Sequence, residues 1–225
     1  MKGKVGCVLL TVALLAVAAS AFGEILLQDD FESGLNPLWQ INGGPVTVVD
    51  GKLQFDSGNG NCYLDVLDSY QDVRVDVDAA RADRPAGIVL RWSTWSAFIR
   101  ANYTPYVGNG GRIFFGGEDF SNGDSAIFST VDTPGLSDSP NPLHLWVQII
   151  GTDEIFMISD GVRTYGTVRK IVYLAPTPGK FGLYGAGGQR LDNFVVSTPV
   201  SGPATLTGKV TDSSTGLPIA GAVVQ

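Results

Sequence analysis

The stretch AGIVLRWSTWSAFIRANYTPY (residues 86–106) carries apolar and polar residues in alternation on both sides of a short Ser-Thr-Trp-Ser turn. Alternation with period two is the pattern of a half-buried strand, so the stretch reads as two adjacent antiparallel strands. Ile88, Leu90 and Trp92 share one parity, and Val89 and Arg91 the other. On the return strand Arg100 and Asn102 oppose Ile99, Ala101 and Tyr103. This places Trp92 in the core, Arg91 and Arg100 on neighbouring wet faces, and Trp95 in the turn.

The same grammar extends outward. DVRVDVD (residues 72–78) alternates three valines against acids and an arginine. VTVV and KLQF flank Asp50-Gly51, and apolar runs joined by Asp-Gly are a strong hairpin signal. LLQDDFE (26–32) reads as an opening strand and 112–115 as another strand, followed by a loop over 116–123. Further strands are expected at 126–131, 143–150, 154–159, 162–165, 168–174, 181–184 and 191–197. No stretch after residue 23 keeps helical periodicity over three turns, and 29 glycines supply the turns that many short strands need. The expected fold is all-β, an antiparallel two-sheet sandwich.

Residues 1–23 place Lys2 and Lys4 before an apolar run and end in small residues, the layout of a secretory signal peptide. Its removal takes the formal charge from −7 to −9 and leaves no span for a membrane. The expected location is secreted or cell surface. An acidic chain without basic clusters lacks the cations that neutralise phosphates, which argues against nucleic acid as a partner. Of two cysteines, Cys7 falls in the signal, so Cys62 has no disulfide partner and the hydrophobic core must carry stability. A main domain over 24–198 is followed by a Pro/Ser/Gly linker at 199–203 and a strand-rich segment at 204–225. The apolar run reaching Gln225 lacks partner strands, so the chain is expected to continue.

The order of DDFE, VVDGKLQF, DVRVDVDA, AGIVLRW, HLWVQIIGTDEIFMISDGV and FGLYGAGGQRLDNFVV resembles concanavalin-A-like (laminin-G-like) jelly-roll modules. That resemblance implies two curved sheets, with a concave face that holds carbohydrate in many members and makes hydrolases or lyases of some. LTGKVTDSSTGLPIAGAVVQ resembles the opening of carboxypeptidase-regulatory-like domains, small appended sandwiches without peptidase activity. Gly208, Asp212, Gly216, Pro218, Gly221 and Ala222 carry that second likeness.

Sugars stack on aromatic rings while polar groups fix their hydroxyls. Arg91, Trp95, Arg100, Trp146 and Gln148 are therefore the candidate ligand-binding residues, for a glycan or another cell-surface polymer. Trp146 and Gln148 alternate against Leu145, Val147 and Ile149. Core and solvated-face packing compete with this reading for each of them, Asp76 being one candidate acid partner for the arginines. Asp76 and Asp78, roughly 6 to 7 Å apart along a strand, fall in the range of a hydrolase carboxylate pair. However, the Glu-x-Asp-x-x-Glu cluster of glucanases that the resemblance brings to mind is missing. The single histidine, His144, excludes a multi-imidazole zinc site and reads as a surface or rim residue. Asp30, Glu32 and Asp192 form a calcium candidate if the terminal strands pair. The expected function is that of a non-catalytic binding module, with a glycoside-active enzyme or an adhesive spacer as alternatives.

Overall fold

A computed structural model describes residues 23–56, 59–64, 70–94, 97–106, 110–119, 124–170 and 179–199. Fifteen strands are formed: β1 (Ile25–Asp29), β2 (Trp39–Gly43), β3 (Val46–Val49), β4 (Lys52–Phe55), β5 (Asn59–Leu64), β6 (Val73–Ala79), β7 (Ala86–Thr94), β8 (Ala97–Thr104), β9 (Arg112–Asp119), β10 (Asp124–Asp132), β11 (Leu143–Ile150), β12 (Asp153–Ser159), β13 (Thr164–Lys170), β14 (Lys180–Ala186) and β15 (Arg190–Ser197). Among the described residues there is no helix.

The strands form two antiparallel sheets. One has eight strands, in the order β13-β12-β11-β6-β15-β4-β3, with β1 also paired to β15; the other has seven, β10-β9-β8-β7-β14-β5-β2. The Asp-Gly hairpin is present as read: Asp50 (φ 51°) and Gly51 (φ 68°) both adopt the left-handed region a two-residue turn demands, and Val49 pairs with Lys52. Val73, Val75 and Val77 of β6 are fully buried, and β6 lies between β11 and β15 at the centre of its sheet. Facing it across the core stand Ile88, Leu90, Ile99 and Ala101 of β7 and β8, with Phe181 and Leu183 of β14. Phe115 and Phe156 tie the sheets together nearby, their rings 5.7 Å apart. Cys62 is free and buried, and burial pushes its thiol pKa up.

Several boundaries differ from the sequence reading. β9 continues through 116–119, which had the glycine content of a loop, because that stretch pairs with β8 on one side and β10 on the other. Residues 164–170 form a single strand against β12 where two separate runs were expected. β2 and β5, with the polar sequences WQING and NGNCYL, give no apolar alternation, yet they pair with each other and β5 pairs with β14. The signal-like segment 1–22, the linker beyond 199, the segment 204–225 and Trp95 lie outside the described residues.

The decisive departure is at Arg91. The β7–β8 register holds from Ala86 to Leu90, shifts, and resumes at Thr94, and Arg91 sits at φ 49°. Against β14 the register passes from Val89–Gly182 to Trp92–Lys180, three residues facing two, and this one extra residue reverses which face the following side chains take. Arg91 is thereby drawn in to 3% exposure, and Trp92 leaves the core cluster of Ile88 and Leu90. Gly179 makes room for the bulge, since a Cβ there would lie 2.5 Å from the Arg91 carbonyl carbon.

Candidate functional site

With the bulge in place, the face of the seven-stranded sheet turned away from the core carries a second cluster: Val89, Trp92, Phe98 and Tyr184. Trp92 and Phe98 stack at 4.7 Å with planes 24° apart. The Arg100 guanidinium lies over the Tyr184 ring at 5.1 Å, a cation–π arrangement. Burial raises the Tyr184 phenol pKa and Arg100 partly opposes this. Strand register lines up Asn42, Asn61, Tyr184, Gly87, Asn102, Phe114 and Thr130 as one row across the sheet. Gly87 keeps this row close: a Cβ there would fall 2.6 Å from that of Asn102. Asn102 Nδ2 donates to Thr104 Oγ1 at 3.3 Å, and at the edge Arg112 Nε donates to Asp132 at 2.6 Å. Val89, Trp92, Phe98 and Tyr184 are at most 7% exposed, whereas Arg100, Phe114 and Lys180 are half-buried and Thr130 is exposed. The face thus combines apolar rings with amide, hydroxyl and guanidinium groups.

Of the candidates read from sequence, Arg100 lies on this face. Arg91, expected beside it, is instead a clasp between the sheets: its Nη2 donates to the Gln71 carbonyl at 3.0 Å and the Gly151 carbonyl at 2.8 Å. Asp72 accepts the Gly151 N–H at 2.7 Å and stands 3.8 Å from the same guanidinium. Burial lowers the Arg91 pKa, with Glu154 and Asp72 opposing. Trp146 and Gln148 lie on β11, in the other sheet, so they do not converge with Arg100. There the Arg74 guanidinium stacks on Trp146 at 4.2 Å while forking onto Asp76 through two 2.8 Å bonds. Trp92, Phe98, Asn102, Phe114 and Tyr184 were missed as site residues. The parity shared by Phe98, Arg100 and Asn102 was legible, but the bulge that adds Trp92 was not.

On the outer face of the eight-stranded sheet, His144 bridges two carboxylates: Nδ1 lies 2.8 Å from Asp78 Oδ1, and Nε2 lies 3.2 Å from Asp76 Oδ1. Those two bonds push the His144 pKa up to about 9. Burial alone would raise Asp76 and Asp78, but hydrogen bonds from Arg74 and His144 to Asp76, and from His144 and Asn193 to Asp78, hold both below the ordinary carboxylate value. A glycosidase acid must keep its proton near neutrality. This pair is instead spent on an ion-paired clamp.

The calcium candidates do not assemble either. Asp192 is ion-paired to Lys52, Asp30 Oδ1 caps the Glu32 N–H at 3.2 Å, and the Glu32 carboxylate lies against Gly51. Among the described residues no three His, Cys, Asp or Glu side chains are grouped to hold a metal.

The two-sheet fold matches solved structures across most of the chain. The fold is a lectin-like jelly roll. The legume lectin-like domain from Entamoeba histolytica superposes with a TM-score of 0.53 at 8% identity, covering 70% of this chain and 87% of that one. SCLam, a non-specific endo-beta-1,3(4)-glucanase of family GH16, gives 0.57 at 10%, covering 80% and 92%. The exoplasmic/lumenal domain of VIP36, solved with Ca2+ and Man3GlcNAc, gives 0.57 at 14%, covering 76% and 90%. No protein-family model and no curated protein matches the chain. Among the described residues no helix is long and apolar enough to cross a membrane.

Proposed function

We propose that this chain is a non-catalytic module that binds a glycan or another surface polymer, exported as part of a multidomain extracellular protein. The observation that carries the reading is the outer row of the seven-stranded sheet, where Arg100 lies over Tyr184 beside Asn102 and Phe114. A pyranose offers an apolar face to a ring and hydroxyls to amides and guanidinium forks, and this row supplies all three partners. Two of the structural neighbours are described as a lectin-like domain and a glycan-bound domain, which supports the same reading. The glucanase neighbour keeps a glycoside-active enzyme as the second reading. The commitment of Asp76 and Asp78 to His144 favours binding over hydrolysis.

The test is a glycan array followed by calorimetry with the full chain. Arg100→Ala and Phe114→Ala are each expected to weaken binding about tenfold, the loss of one charged hydrogen bond or one stacking contact. Trp95→Ala tests the turn residue in the same assay. Wild-type affinity in both the Arg100 and Phe114 variants would overturn this placement of the site.

A further inference from the structure

Away from that row, a cleft of about 640 Å³ opens where the segment following β1 faces the bulge of β15. Gln28, Asp29, Asp30, Ser33 and Asn193 contribute its polar lining. Leu35 and Val195 contribute apolar surface. The volume lies within the range of small-ligand sites, and an apolar floor with a few polar groups is their usual composition.

The cleft is built in advance of any ligand. Phe31, fully buried, and Asn193 hold left-handed backbone at φ 56° and 52°, a conformation that asparagine tolerates but that a bulky residue such as Phe31 adopts only when its surroundings enforce it. Asp29 enforces the first: Oδ1 accepts the Phe31 N–H at 2.9 Å and Oδ2 accepts the Trp39 Nε1–H at 2.8 Å. Trp39 then wedges between Phe31 and Phe194, with ring centroids at 5.8 and 5.1 Å. The second is held by Asn193 Nδ2 donating to Asp78 at 2.9 Å. Both walls are thus fixed, while the exposed Gln28 and Ser33 side chains and Asp30 Oδ2 make no hydrogen bond among the described residues.

We infer that this cleft is a second ligand site, separate from the seven-stranded sheet and independent of its reading, which takes an amine-bearing sugar. Carboxylates only accept hydrogen bonds, so Asp30, with Oδ2 open to the cleft, calls for a donor-rich ligand. No lysine or arginine lines the cleft, so a uronate or phosphate would meet uncompensated negative charge. A protonated amine gains a charge-assisted bond at Asp30, the ring hydroxyls reach Gln28 and Ser33, and the ring's apolar face covers Leu35 and Val195.

The test titrates the full chain with glucosamine oligomers, their N-acetylated counterparts, oligogalacturonate and oligolysine, following amide shifts by NMR and affinity by calorimetry. Saturable glucosamine-oligomer binding is expected, with shifts centred on residues 28–37 and 193–195, weaker binding after acetylation, and none for the uronate. Asp30→Asn keeps the cap on Glu32 and removes the charge, weakening binding about tenfold. Ser33→Trp, at an exposed position, fills the cleft and abolishes it, whereas Arg100→Ala leaves it unchanged. Absence of binding to the wild type, wild-type affinity in Ser33→Trp, equal affinity for the uronate, or capture of oligolysine without the sugar would each overturn the assignment.

Discussion

His144 couples three strands through its charge, and its removal has a calculable signature. The imidazole of β11 joins Asp76 and Asp78 of β6, and Asp78 also accepts from Asn193 of β15. Its pKa rises from 6.5 to about 9 on folding, so the folded state binds the proton more tightly than the unfolded chain. The stabilisation is fully present below pH 6.5 and is lost as pH rises through about 9. Taken at face value the shift corresponds to about 3 kcal/mol, but the side chain is 44% exposed and solvent screening reduces this to roughly 1 to 1.5 kcal/mol. In a domain of this size that is about 3 to 5 °C in Tm. The assay is urea denaturation of the wild type and His144→Gln from pH 5.5 to 10, the variant cancelling every other titrating group. The two stability curves should be separated by the full difference at pH 6 and converge by about pH 10. Curves that run parallel from pH 6 to 10 would refute the clamp. On the acid side the wild type should lose stability as pH falls below the ordinary aspartate range, because both Asp76 and Asp78 are depressed in the folded state.

Other consequences follow from single contacts. Arg91→Leu strips the Gln71 and Gly151 carbonyls of their buried donor and removes a cation close to the buried Glu154, so a loss of about 3 kcal/mol is expected in urea unfolding. Gly185→Ala places a Cβ 2.4 Å from the Phe55 ring and should cost about 1 to 3 kcal/mol through overpacking, read as a lowered Tm. Trp146→Ala removes a ring from the opposite sheet and should leave glycan affinity at the wild-type value in calorimetry while lowering stability through the lost Arg74 stack, by about 1 kcal/mol.

Much of the architecture was legible because it rests on local patterns. The three valines of β6, the Asp-Gly hairpin and the alternation of β8 and β11 each assign faces within one unbroken strand, and the structure keeps those assignments. β2 and β5 were illegible because their asparagines and glycines carry no strand preference; β5 is a strand because it bonds to β14, and β2 because it bonds to β5. Arg91 and Trp92 were misread because parity counts only while the register is continuous, and one left-handed residue reverses it. The candidate residues are separated by the topology: Arg100 lies on the seven-stranded sheet, Trp146 and Gln148 on the other, and Arg91 spans the two.

By itself, the sequence determined that this chain is an all-β sandwich, because side-chain alternation and turn chemistry act over a few residues. Only the tertiary structure decided which sheet each strand joined. That decision separates Trp146 from Arg100, sets His144 between two aspartates and brings residues 28–30 against the bulge at 193. The physical reason is that strand pairing is a long-range choice: β6 lies between β11 and β15, strands more than sixty residues further along the chain, and no local pattern encodes a partner so distant.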